Sequence, residues 1–136
     1  MTKAADLGAH GPTLELKAFL ESFQGARAEP VPVPRGGPTP AIMYKLAGKM
    51  FAILSVRGDP FVIVKCDPAL ADMLRQTWRG VGHRSHLDKR FWISLDLDAD
   101  VPADEIRKLV HGSYDLIRAS LTAKQRDALD EQTGPA

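Results

Sequence analysis

Five of the ten prolines fall between Pro30 and Pro40, with Gly36-Gly37 among them. Proline fixes φ and removes a backbone donor, so neither a helix nor a central strand can pass through residues 26–41. The segment has to be extended and exposed, with only Val31 and Val33 offered to a core. It reads as a connector rather than a docking segment for a partner domain. It also divides the chain. A short helical pattern lies before it, and strand patterns dominate after it.

Before the connector, Leu16, Phe19, Leu20 and Phe23 recur at helical spacing and predict an amphipathic helix over residues 13–24. Thr13 is the expected N-cap and Gly25 the expected stop. After it, residues 42–46 alternate, with Ile42, Tyr44 and Leu46 on one face. Ala47-Gly48 turns the chain into residues 49–56, apolar on both faces, and Arg57-Gly58-Asp59-Pro60 turns it again into residues 61–66. Arg-Gly-Asp here is turn chemistry, not an adhesion signal.

Asp67-Pro68 opens a second helix, with Leu70, Met73, Leu74 and Trp78 as its inner stripe and Gly80 as its end. Residues 81–87 and 91–97 then read as a β-hairpin turning near Asp88 and Lys89. Phe91, Ile93, Leu95 and Leu97 form its aliphatic side, and Trp92, Ser94, Asp96 and Asp98 the other. A last long helix follows Asp100-Val101-Pro102, with Ile106, Leu109, Val110, Ser113 and Ile117 inward and Leu116 beside them. Gly112 sits mid-helix, where a close approach to a strand or a partner helix would explain it. Thr122 caps a terminal helix over residues 123–131.

The order α-βββ-α-ββ-α-α with hairpin connections predicts an α+β fold. It is a two-layer sandwich with an antiparallel five-stranded sheet and helices packed on one face. With 136 residues, 44% of them hydrophobic, the chain suits one core. Residues 1–12 are expected as a disordered leader and 13–132 as a single domain. The net charge of +1 offers no global attraction to nucleic acid or membrane, so any such affinity has to come from a local patch. The single cysteine, Cys66, excludes an intrachain disulfide and a cysteine-based zinc cage. A cytoplasmic, monomeric, non-membrane protein is expected.

Four strings carry a family resemblance. They are Lys45-Leu46-Ala47-Gly48-Lys49-Met50-Phe51-Ala52, Lys65-Cys66-Asp67-Pro68, the run from His83 to Trp92, and Val101-Pro102 with Ser113-Tyr114-Asp115-Leu116. Together they resemble the MmcQ/YjbR-like group of small bacterial proteins over roughly residues 14–130. The resemblance implies an α+β fold similar to type III secretion chaperones. It also implies the DNA-binding role given to the group through a double-wing comparison. Asp88 stands where the group has asparagine, and the proline-rich segment replaces a more acidic stretch.

The residues themselves suggest one candidate site. Arg84, Lys89 and Arg90 stand against Asp88 on the hairpin, and Lys45, Lys49 and Lys65 extend the patch if their strands are neighbours. With His86 and Trp92 they make a candidate nucleic-acid interface, cations for phosphates and an indole for stacking. The alternative is a protein-interaction or chaperone-like module using the open sheet face around Trp92. Catalysis is not expected. His83 and His86 would point to opposite faces of a strand, and no phosphate loop, nucleophile elbow or metal-ligand spacing is present. No cofactor or metal is implied.

Overall fold

The computed structural model describes residues 5–131. Helix α1 (Gly11–Glu21) leads into strands β1 (Arg27–Pro30), β2 (Ala41–Leu46), β3 (Lys49–Ser55) and β4 (Phe61–Lys65). Helix α2 (Pro68–Thr77), strands β5 (Val81–Gly82) and β6 (Trp92–Asp96), and helices α3 (Ala103–Ala119) and α4 (Ala123–Glu131) complete it. The strands form one antiparallel sheet in the order β1-β2-β3-β4-β6-β5. The α+β architecture is the expected one, with one strand more than the five foreseen. The addition, β1, comes from the proline-rich segment and obeys its constraint. It is an exposed edge strand, where Pro30 has no outward donor to lose.

Cross-strand register fixes which side chains share a face. Tyr44, Ala52, Leu54, Val62, Val64, Ile93 and Leu95 lie on one face and are fully buried. Leu16 and Leu20 of α1 and Ile106, Leu109, Val110, Tyr114 and Ile117 of α3 join them in one core. Each valine, leucine or isoleucine among them contributes about 1.5–3 kcal/mol on burial. Leu116 departs from this stripe and is exposed.

The ladder is broken at one place. Tyr44 pairs with Ala52 and Lys45 with Met50, so Phe51 is an unpaired bulge residue. The bulge turns Phe51 into the core beside Phe23 and Tyr114. It also ends the β3–β4 pairing at Ala52 and Val64, leaving the Phe51 carbonyl and the Lys65 amide without ladder partners. Ser113 of α3 fills the gap. Its hydroxyl donates to the Phe51 carbonyl at 2.6 Å and accepts from the Lys65 N–H at 2.9 Å.

Helix α1 starts two residues earlier than its sequence pattern. His10 is the N-cap, its Nδ1 accepting from the Thr13 N–H at 3.3 Å, while Nε2 reaches Asp98 at 2.9 Å. Histidine lies outside the usual capping set, so the pattern pointed to Thr13. Part of the expected leader is built in: Leu7 is buried and its N–H bonds the Val56 carbonyl at 3.0 Å. One leucine among polar residues has no periodicity to reveal this. Residues 1–4 and 132–136 lie outside the described residues.

Gly112 has no packing reason among the described residues. It is exposed, and a Cβ there would meet nothing within 4 Å. Gly112→Ala is therefore expected to stabilise the protein by about 0.5–1 kcal/mol and raise Tm by roughly 2–4 °C. A fall in Tm on thermal melting would show that something approaches this face of α3.

Candidate nucleic-acid interface

The expected strand over residues 81–87 shrinks to Val81–Gly82, and residues 83–91 form a loop. His83, Arg84, Ser85 and His86 offer no alternating apolar row to bury, so nothing holds them against the sheet as a strand. The polar side chains instead bend the chain locally. Ser85 Oγ accepts from the Leu87 N–H at 3.2 Å, and the His83 ring Nε2 bonds the Leu87 carbonyl at 2.7 Å. The Asp88 carbonyl receives the N–H groups of Phe91 and Trp92 at 3.1 and 2.9 Å. Strand β6 therefore begins at Trp92, and Phe91 is a half-buried loop residue outside the core cluster rather than the first member of the aliphatic row.

Two clamps hold this loop. The Cys66 N–H bonds the Phe91 carbonyl at 2.8 Å, carrying the β4–β6 ladder one step past the pair Lys65–Trp92. From α2, Arg75 Nη2 donates to the carbonyls of Lys89 and Trp92. Strand β5 pairs only with Leu95 and Ser94, so the Arg75 guanidinium serves the part of β6 that β5 does not reach. The sequence offers only a cation near a helix end, and its reach to the loop is a tertiary fact.

The structure divides the candidate residues. Lys65 and Trp92 are cross-strand partners on the face turned away from the helices, and both are half-buried. The Lys65 ammonium lies 5.9 Å from the Phe91 ring centroid and the Arg90 guanidinium 5.3 Å from it. Phe91, read from sequence as core, thus gathers two cations around one ring. His86, Lys89 and Arg90 are exposed on the loop.

Lys45, Lys49 and Arg84 are engaged elsewhere. Lys45 pairs with Glu29 at 3.0 Å. Lys49 donates to the Ser120 carbonyl at 3.3 Å, where a cation suits the end of α3. Arg84 reaches Asp59 and Asp96, each at 3.2 Å, over the Phe61 ring at 4.8 Å. With these carboxylates counted, three cations against one acid become three against three, so the loop is not a broadly positive wing. Asp88 also holds Arg90, with Oδ2 at 2.8 Å from Nη2 and Oδ1 at 3.2 Å from Nε. The Arg90 hydrogen bonds hold the Asp88 carboxyl down to about 2.

Burial pushes the Cys66 thiol up to about 11, which suppresses the reactive thiolate. Among the described residues no group of three or more His, Cys, Asp or Glu side chains is placed to hold a metal ion. No helix among them is long and apolar enough to cross a membrane.

An antiparallel sheet layered on one side by α1 and α3, with the β5–β6 loop over its free end, defines a small α+β class with solved relatives. The crystal structure of a Deinococcus radiodurans protein carrying the DUF419 domain superposes with a TM-score of 0.74, covering 88% of this chain and 90% of that one at 24% identity. A Pseudomonas syringae protein superposes with a TM-score of 0.63, covering 76% and 96% at 19% identity. The chain belongs to the YjbR family, whose model matches residues 22–116. It is 36% identical to YjbR of Escherichia coli K12 over 75 residues, 54% of this chain and 64% of YjbR. It is 27% identical to YbdF of Escherichia coli O157:H7 over 85 residues, 62% of this chain and 70% of YbdF. The aligned part thus spans under two thirds of YjbR's length.

Proposed function

We propose that this protein binds nucleic acid through the β5–β6 loop, with Lys65, Lys89 and Arg90 on phosphates and Trp92 and Phe91 as the apolar contact. The reading rests on one observation: the Phe91 ring brings Lys65 and Arg90 together beside exposed Lys89, on the stretch of the loop that the Cys66 N–H and the Arg75 guanidinium hold. A braced loop loses little conformational entropy when it meets a ligand, and cations over an aromatic ring suit a backbone of phosphates flanked by bases. Lys45 and Arg84, paired with carboxylates outside the loop, and the helix-capping Lys49 are left out; Arg90 is kept because its partner, Asp88, belongs to the loop itself and the pair is exposed.

About three phosphate contacts give a slope of log K against log salt near −2.7. Between about 50 and about 200 mM salt, affinity for duplex or single-stranded DNA is then expected to fall roughly 40-fold in a fluorescence anisotropy titration. No binding to either at about 50 mM salt overturns the reading.

A second reading has its own support. Met43 and Ile53, both half-buried, form an apolar cross-strand pair on the sheet face opposite the helices, the face that also carries Trp92, while Ile63 beside them is buried. A protein partner seated there would stay bound at high salt and be lost with Trp92→Ala, because apolar contacts are barely screened.

A further inference from the structure

The Asp88 carboxylate sits on the Arg90 guanidinium in the manner of a bound anion. It meets the guanidinium with two oxygens, at 2.8 and 3.2 Å, and Asp88 Oδ1 also accepts the Arg90 N–H at 2.9 Å. This two-pronged arrangement is the one a guanidinium offers to phosphate. The pair is local in sequence and exposed, with Arg90 at 75% and Asp88 at 43% side-chain exposure, so the carboxylate is displaceable. We propose that Asp88 sets the ligand specificity of the loop by occupying the Arg90 guanidinium. Only a polyanion such as a nucleic-acid backbone displaces it, while acidic peptides are refused. The inference rests on the nucleic-acid reading above.

The physical reason is a competition between like groups. A carboxylate from an acidic partner would replace a carboxylate already attached to the same loop. It gains no new bond type and loses the advantage of being tethered. A phosphate backbone brings a line of charges that also engages Lys65 and Lys89 and releases its condensed counterions, a gain that a sparse acidic peptide lacks. The Asp88 carboxyl, held well below the usual carboxylate range, keeps its charge throughout the neutral range. Acidification to pH 5 therefore does not lift the block.

The test compares wild type, Asp88→Asn, Arg90→Ala and the double variant against a duplex DNA and a sparsely charged acidic peptide, a repeat of Gly-Ser-Gly-Glu, at about 50 mM salt. Asparagine keeps an oxygen for the Arg90 N–H, and the Asp88 backbone carbonyl that receives Phe91 and Trp92 is untouched, so the loop is preserved. Asp88→Asn is expected to strengthen DNA binding about threefold to tenfold, and binding of the sparse acidic peptide by a larger factor, narrowing the preference for DNA. Both gains should shrink below about twofold in the Arg90→Ala background, because the freed guanidinium is their source. Equal gains with and without Arg90 would mean that only net charge had changed, and would overturn the proposal. So would an unchanged DNA-to-peptide ratio in Asp88→Asn. If wild type binds no DNA and Asp88→Asn does, the nucleic-acid reading fails for the native loop and the blocking role of Asp88 stands. If neither binds, both fall.

Discussion

Ser113→Ala is expected to lower the free energy of unfolding by about 2–4 kcal/mol and Tm by roughly 10 °C. The side chain is fully buried, and its hydroxyl is the partner of two backbone groups left open by the bulge at Phe51. Alanine leaves the Phe51 carbonyl and the Lys65 N–H without partners, and each buried orphan costs about 1–3 kcal/mol. The space vacated is one oxygen atom, too small for a water to enter and substitute. Urea unfolding should move its midpoint with an unchanged slope, since the exposed area on unfolding is the same. A loss under about 0.5 kcal/mol would mean that the two groups pair with each other once the hydroxyl is gone. Because the Lys65 amide is one of the two groups, the same substitution should also loosen the end of β4 that carries the candidate site.

The same residue shows where sequence reading succeeds and where it stops. Helical spacing placed Ser113 on the inner face of α3, and it is there, along with Ile106, Leu109, Val110 and Ile117. Periodicity reports which face a side chain takes, because face is a local property of a regular element. It does not report that a hydroxyl will meet a gap in a ladder formed 62 positions earlier at Phe51. The loop divides in the same way. Ile93 and Leu95 are buried as their alternation required, while Phe91 is not, because the Asp88 carbonyl bends the chain just before the strand begins. Counting charges along residues 84–90 suggested a positive tip. Asp59 and Asp96, which neutralise Arg84, are brought in by the turn after β3 and by β6, and only the folded chain puts them there.

Which cations remain available decides the second large effect. Lys65→Ala, Lys89→Ala and Arg90→Ala should each reduce the salt slope of DNA binding by about 0.9, one phosphate contact apiece. The triple variant should lose roughly a hundredfold in affinity at about 50 mM salt and nearly all of its salt dependence. Lys49→Ala should leave the slope unchanged, because that ammonium is already bonded to the Ser120 carbonyl and hydroxyl. Lys49 is the informative control: a surface lysine that sequence alone places in the same patch. Lys65→Ala keeps the backbone N–H that Ser113 receives, so circular dichroism and Tm should be close to wild type and the binding loss can be read directly. If Lys49→Ala weakens binding as much as Arg90→Ala does, the attraction is diffuse rather than centred on the Phe91 ring. Association would then depend on net charge, and no part of the loop geometry would be needed to explain it.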